Sequence, residues 1–271
     1  VTPEAFFTAD DFGLSVAVNE AVEQAHLHGV LHAASLMVAG PAAADAVARA
    51  RRLPGLRVGL HLVAIEGPAV LPPAAIPDLV DGAGRFSADQ VRRGFAYAAC
   101  GKIRRQLAQE VAAQFAAYAA TGLPLHHADA HKHMHLHPVV ARLMIDAGRA
   151  HGLRRLRVPA EPPDVLAACG ERVGPGAHAL YYWTRQLRRT AHRAGLATPK
   201  HCFGLHWSGS MTADRLLALA RHLPPGGSEI YLHPASRTDA TLARLMPHYR
   251  HTEEFSALLD PRVRAAFAAP Q

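Results

Sequence analysis

Short apolar runs of strand length alternate with longer Ala-, Leu- and Arg-rich stretches of helical spacing, and this alternation is the tightest constraint on the fold. Glu4–Ala9, Ala33–Val38, Leu56–Leu62, Leu125–His131, Leu153–Val158 and Glu229–Leu232 read as strands. Val16–His28, Ala42–Arg52, Lys102–Thr121, the stretch from Pro138 to about His151, His178–Gly195 and Met211–His222 read as helices. Ser15 is placed as an N-cap, Pro41 and Pro138 stand at helix starts, and Gly122 is a stop signal. Strands separated by helices require a parallel sheet with right-handed crossovers. Six to eight such units in about 250 residues predict a single-domain (β/α) barrel, TIM-like but irregular, with its active site at the C-terminal ends of the strands. A doubly wound open sheet is the competing α/β arrangement. No GxGxxG follows the first strand, which argues against dinucleotide binding. One domain is expected over residues 1–271, since no repeat or low-complexity linker interrupts it. Residues 63–101 break the rhythm: Pro68, Pro72, Pro73, Pro77, Gly67, Gly82 and Gly84 predict a long excursion rather than one helix. Its length and proline content suggest a lid.

Composition narrows the function classes. Cys100, Cys169 and Cys202 are far apart and form no CxxC pair, which argues against a disulfide scaffold or a cysteine zinc finger and fits a cytoplasmic protein. No apolar run approaches the ~20 residues of a spanning helix. The segment Val1–Phe7 has no basic region followed by an apolar one, so no signal peptide is read there. The formal charge of +7 permits an anionic partner, but no nucleic-acid-binding pattern accompanies it, and no nucleic-acid partner is expected. The helix at 178–195 offers a membrane instead. Tyr181, Tyr182 and Trp183 cluster near its start, and Arg185 and Arg189 lie on one stripe. A basic helix with interfacial aromatics suits peripheral contact with an anionic membrane face, while a solvated outer barrel helix is the plainer reading.

The chain has 19 histidines, six of them between His126 and His137. Several polar residues share a position at strand ends. Asp10 and Asp11 follow the first strand, His61 ends the third, Asp129 and His131 end the fourth, and His233 follows the last. In parallel α/β architectures those ends meet around one site. Two adjacent aspartates at a turn can divide the work of a metal-dependent hydrolase, one binding a cation and the other taking a proton from water. On an extended chain Asp129, His131, His133, His135 and His137 face one way, about 6.6 Å apart at ~3.3 Å rise per residue. Metal–ligand bonds of ~2.1 Å then allow only one or two of them on a single ion. The others, His133 and His135 included, are left for supporting or substrate contacts. Asp129 is placed to accept from a ligand imidazole and fix its tautomer. His233 can donate a proton to a leaving group near neutral pH.

Thr8-Ala9-Asp10-Asp11-Phe12-Gly13-Leu14-Ser15, Gly59-Leu60-His61-Leu62, Asp129-Ala130-His131-Lys132-His133-Met134-His135 and His233-Pro234-Ala235 together resemble the YdjC/ChbG-like carbohydrate deacetylase family, in its order and over most of the chain. Ala33–Pro41, Ala130-His131-Lys132-His133 and Trp207-Ser208-Gly209 resemble its hopanoid biosynthesis-associated branch, HpnK. The resemblance implies a barrel-like deacetylase with one divalent ion, zinc or magnesium, held by Asp11, His61 and His131. It implies Asp10 as general base and His233 as general acid. The wider family often has Ser and His where this chain has Ala130 and Lys132, which fits the branch. The substrate so implied is a small-molecule or glycolipid N-acetylglucosamine, an N-acetylglucosaminyl hopanoid for the branch. An esterase or phosphoesterase on the same rim, and a non-catalytic metal or lipid carrier, are the competing readings.

Overall fold

The structure, a computed structural model, describes residues 5–268. Glu4, the first residue of the expected first strand, and most of the Val1–Phe7 leader reading lie outside them. The chain runs through β1 (Ala5–Phe12), α1 (Val16–His28), β2 (Leu31–Leu36), α2 (Ala43–Arg51), β3 (Arg57–Leu62), α3 (Gln90–Ala99), α4 (Gly101–Ala120) and β4 (Ala128–Ala130). It continues through α5 (Pro138–Ala150), α6 (Pro163–Ala168), α7 (Pro175–Arg193), β5 (His201–Phe203), α8 (Ala213–His222) and β6 (Ser228–Leu232). Three helices close it: α9 (Ala240–Leu245), α10 (His251–Leu259) and α11 (Pro261–Ala268). Local signals act as expected at α1, where the Ser15 hydroxyl accepts from the Val18 N–H at 3.3 Å.

Six parallel strands in the order β4-β3-β2-β1-β6-β5 curl into a half-barrel flanked by helices, a TIM-like α/β fold. The gap between β4 and β5 is spanned by extended chain at 155–160. Arg157 N–H donates to the Ala128 carbonyl at 3.1 Å on one side, and Cys202 N–H donates to the Ala160 carbonyl at 3.0 Å on the other. The expected strand Leu153–Val158 is therefore present as isolated bridges rather than a ladder.

The excursion between β3 and α3 is fastened rather than loose. Gln106, Glu110 and Gln114 recur every fourth residue along α4 and present one buried polar face. Gln114 accepts from Val63 N–H at 2.9 Å and donates to Val63 C=O at 2.6 Å. Glu110 accepts from the Val70 and Leu71 N–H groups at 2.8 and 2.9 Å, and Gln106 from Asp78 N–H at 3.0 Å. Ile65, Ile76, Leu79 and Phe86 are buried beneath these bonds. In this structure the segment forms a wall of the barrel mouth, bonded to α4 from Val63 to Asp78.

Replacing Gln114 with Leu strands the buried Val63 N–H and C=O, at ~1–3 kcal/mol for each orphaned group. Chemical denaturation is expected to show a loss of that order, with faster amide exchange concentrated at residues 63–71. Unchanged exchange there would show that the wall is held by its apolar contacts alone.

Candidate active site

Asp10 and Asp11 lie inside β1, not after it. The β1–β2 register shifts between Ala9 and Phe12, and Asp11 adopts a left-handed backbone with φ 62°. That bulge, rather than a turn at Gly13, puts both carboxylates on the inner rim. A non-glycine residue in this region costs of order 1–3 kcal/mol, and aspartate is among the residues that tolerate it best. His61 at the end of β3 and His131 just past β4 complete the group. His61 Nε2 and His131 Nδ1 stand 3.4 and 3.2 Å from Asp11 Oδ1. All three residues are buried, and both Asp11 oxygens lack a hydrogen-bond partner. One ligand atom from each falls within 4.8 Å of the others, so this Asp–His–His group could hold a metal ion. Asp10, His61 and Asp129 make a second such grouping. It fits a cation less well, because oxygens of Asp10 and Asp129 already accept from an arginine.

That arginine, Arg157, is fully buried on the closing segment. It grips both oxygens of Asp10 at 2.6 and 2.8 Å, touches Asp129 Oδ2 at 2.7 Å, and pairs with Glu229 at 2.8 Å. Its guanidinium also lies 4.6 Å from the Tyr231 ring centre. Asp129 in turn accepts from His61 Nδ1 at 2.8 Å. Burial opposes charge on Asp129, but Arg157 and His61 outweigh it and hold the carboxyl below its usual range. Burial likewise opposes charge on His61, yet the carboxylates of Asp129, Asp10 and Asp11 prevail and raise it to about 10. Asp11 is lowered well below its usual value against its own burial by His131 and His61.

The histidine-rich segment is not extended, contrary to expectation. Residues His131–Leu136 form two tight turns across a kink at Lys132 and His133, whose φ values are 50° and 53°. The common face of alternate residues is thereby lost. His131 joins the Asp11 group. His133 bonds the Tyr231 hydroxyl at 2.7 Å and lines the cleft. His135 is fully buried away from the cleft lining, and burial pushes it down to about 4. Lys132 turns out to pair with Glu66 of the wall.

His233, after β6, faces the same cleft of about 420 Å³, which Asp10, His61, His131, Gln90, Leu245 and Tyr249 also line. Its ring packs edge-on against Tyr231 and Tyr249, with centroids 5.8 and 5.1 Å away. Burial lowers its pKa, against the opposing pull of Asp11 and Asp10. The His233 backbone is fixed by Glu254, which accepts its N–H, and by His251 Nδ1, which donates to its carbonyl at 2.7 Å. Gly209 explains part of the Trp207-Ser208-Gly209 motif: a Cβ there would lie 2.3 Å from the Tyr249 ring, so only glycine lets that ring lie over the loop.

Arg157, Glu229, Tyr231, Tyr249 and Glu254 were not anticipated from sequence. Glu229 and Tyr231 alternate with His233, and Arg157 sits between Leu156 and Val158. This period-2 spacing was the available signal for the inner face. On α7, Tyr182 and Trp183 are 58% and 49% exposed, and Arg185 and Arg189 are exposed. Tyr181 instead packs partly into the core. No helix among the described residues is long and apolar enough to cross a membrane.

Fold and site together define an α/β barrel protein carrying a buried Asp–His–His group beside an arginine-held aspartate. The chain belongs to the YdjC-like protein family, whose model matches residues 5–269. It is 31% identical over 262 residues to a carbohydrate deacetylase of Geobacillus stearothermophilus, covering 96% of this chain and 91% of that one. It is 31% identical to a chitooligosaccharide deacetylase of Serratia marcescens, covering 96% and 92%. A carbohydrate deacetylase of Brevibacillus brevis is 36% identical over 155 residues, and there the match spans only 57% of either chain. Among solved structures, a protein of Enterococcus faecalis V583 described as a cellobiose-phosphate cleavage protein superposes with a TM-score of 0.76 at 21% identity. It covers 97% of this chain and 92% of its own, and it speaks to the fold.

Burial raises Glu254 from its ordinary value to about 7, despite bonds from the Met211 and His233 N–H groups. A carboxyl with a raised folded pKa binds more protons folded than unfolded between its two pKa values, so its contribution to stability falls as pH rises from about 4.5 to 7. Relative to the Glu254→Gln variant, the wild type should lose on the order of 3 kcal/mol across that window. Denaturation midpoints measured from pH 4.5 to 7.5 check this, and parallel curves would contradict it.

Proposed function

We propose that the chain is a metal-dependent N-deacetylase that hydrolyses the acetamide of an N-acetylglucosamine-type sugar. The observation that carries the reading is one cleft lined by the arginine-held Asp10, two members of the Asp11–His61–His131 group, and His233. The family and two near-full-length deacetylase relatives support the same chemistry, a hydrolase of carbon–nitrogen bonds. A divalent ion held by Asp11, His61 and His131 would polarise the acetamide carbonyl and lower the pKa of water. Zinc suits the two imidazoles, and magnesium suits the carboxylate-rich surroundings.

The chain's own groups divide the remaining work. Asp10 takes the proton of the attacking water, its carboxylate aimed by the fork of Arg157. His233 gives a proton to the departing sugar nitrogen. The ring is steadied by Tyr231 and Tyr249, and its backbone by Glu254 and His251. Asp129 orients His61. His133 and Lys132, with Gln90, Met246 and His248, form the walls that meet the sugar.

The finer substrate is a lipid-linked sugar, the N-acetylglucosaminyl hopanoid of the branch resemblance. In support, Val91 and Phe95 of α3 are 71% and 73% exposed, directly after the cleft residue Gln90. Trp183 of α7 donates its indole N–H to the Leu136 carbonyl at 3.0 Å, and the next residue, His137, borders Gly94 of α3. Arg185 lies over the Tyr182 ring at 4.5 Å. This face suits peripheral contact with an anionic membrane.

With the protein loaded with a divalent ion, acetate release from N-acetylglucosamine oligomers and glycolipids tests the reaction. Asp10→Asn should cut turnover about 10²–10⁴-fold while retaining the ion. His233→Ala should cut amide hydrolysis by at least about 10²-fold yet largely spare an aryl acetate, whose leaving group needs no proton. Equal losses on both substrates would remove His233 from the acid role. Sedimentation with phosphatidylglycerol vesicles should show binding that the Arg185→Glu/Arg189→Glu variant loses. Equal, negligible sedimentation of both would dismiss the membrane face.

A further inference from the structure

A chain of hydrogen bonds crosses the barrel interior from its opposite mouth to His61. At the exposed end, Arg155 Nη1 meets His126 Nε2 at 3.0 Å. His126 Nδ1 meets His127 Nδ1 at 3.1 Å, and His127 Nε2 meets Ser35 Oγ at 3.1 Å. The Ser35 hydroxyl donates to Asp129 Oδ2 at 2.7 Å, and Asp129 Oδ1 accepts from His61 Nδ1 at 2.8 Å.

Only one set of protons satisfies every link. Arginine has no acceptor, so His126 Nε2 must be bare and its proton must sit on Nδ1. His127 Nδ1 then accepts, which leaves the His127 proton on Nε2, pointing at Ser35. A hydroxyl that accepts from His127 is free to donate to the carboxylate. Three donors thus converge on Asp129: Ser35, Arg157 and His61. Both histidines of the chain are kept neutral. Burial, with His127, Arg155 and Arg57 nearby, pushes His126 down to about 3, and burial also lowers His127.

The backbone is fitted to this path. Ser35 pairs with Gly59 across β2 and β3, and His61 pairs with Asp129 across β3 and β4. A Cβ on Gly59 would lie 2.5 to 2.6 Å from His127 ring atoms, so glycine is required for that ring to lie over β3. The glycine of the Gly59-Leu60-His61-Leu62 motif is thereby explained by the imidazole it seats.

We propose that His126, His127 and Ser35, set in direction by Arg155, are positioning residues that hold the His61 ring with Nδ1–H on Asp129, so that Nε2, facing Asp11 and His131, is the nitrogen left to take the ion. The proposal rests on His61 as a metal ligand, but its primary readout does not need the enzyme to be a deacetylase. Long-range proton–nitrogen correlation spectra of the ion-free protein should show His126 in the Nδ1–H form and His127 in the Nε2–H form. Ser35→Ala should shift the His61 nitrogen signals and weaken zinc binding, read with a competing chelator, about tenfold. Arg155→Met, at the exposed end and therefore independent of folding, should mix the two tautomers of both His126 and His127. A wild-type His127 protonated on Nδ1 overturns the proposal. So does a Ser35→Ala variant with unchanged zinc affinity and His61 signals, or an Arg155→Met variant with unmixed tautomers.

Discussion

The buried charge of Arg157 is the interaction on which both the barrel and its site depend. Its guanidinium joins Asp10 of β1, Asp129 of β4 and Glu229 of β6. It sits on the extended segment that spans the gap between β4 and β5. Closure of the half-barrel and assembly of the rim are therefore one event. Removing a single partner from such a cluster leaves an uncompensated charge, which costs about 3–5 kcal/mol, whereas the intact cluster adds little net stability. Its value lies in geometry: a bidentate fork fixes the plane of the Asp10 carboxylate in a way a lysine would not.

Two adjacent aspartates with different neighbours illustrate how the backbone assigns tasks. On a regular strand Asp10 and Asp11 would point to opposite faces. The bulge in β1 and the left-handed Asp11 turn both inward, yet to different company. Asp10 meets an arginine, and Asp11 meets two imidazoles and no hydrogen-bond donor in good geometry. The same side chain is thus held by a guanidinium in one position and left between two imidazoles with both oxygens unbonded in the other.

The strand–helix alternation made the parallel architecture legible, because hydrophobic period is local. The convergence of Asp10, Asp11, His61, His131 and His233 followed from topology, since parallel strands end on one side. What stayed hidden was set by non-local geometry. The kink at Lys132 and His133 breaks the alternation assumed for the histidine segment, and nothing short of the tertiary contacts specifies two left-handed residues there. Nothing local in the sequence sets Arg157 apart from the other arginines or marks Glu254 as buried. The polar stripe of Gln106, Glu110 and Gln114 went unread, because its partner, the proline-rich wall, carries no matching pattern and offers backbone groups rather than side chains. The histidine count was similarly divided by the fold. His126 and His127, which sequence left without a role, lie on the far side of the same interior that His61 and His131 occupy.

Charge balance gives the site its chemical direction. Asp10, Asp129 and Glu229 surround a single guanidinium and Asp11 adds a further buried carboxylate, so carboxylates outnumber the guanidinium in a poorly solvated space. The raised pKa of His61 expresses that excess, because the carboxylates outweigh a burial cost that would otherwise keep the ring neutral. Lys132 pairs with Glu66 on the wall and also feels the charge of Asp11. A divalent ion held by Asp11, His61 and His131 would answer the same demand, next to the carboxylate that Arg157 orients. The arginine thus favours ion binding indirectly. By satisfying Asp10 and Asp129, it leaves Asp11 as the carboxylate with both oxygens free, so a cation would be directed to the aspartate that borders both histidines.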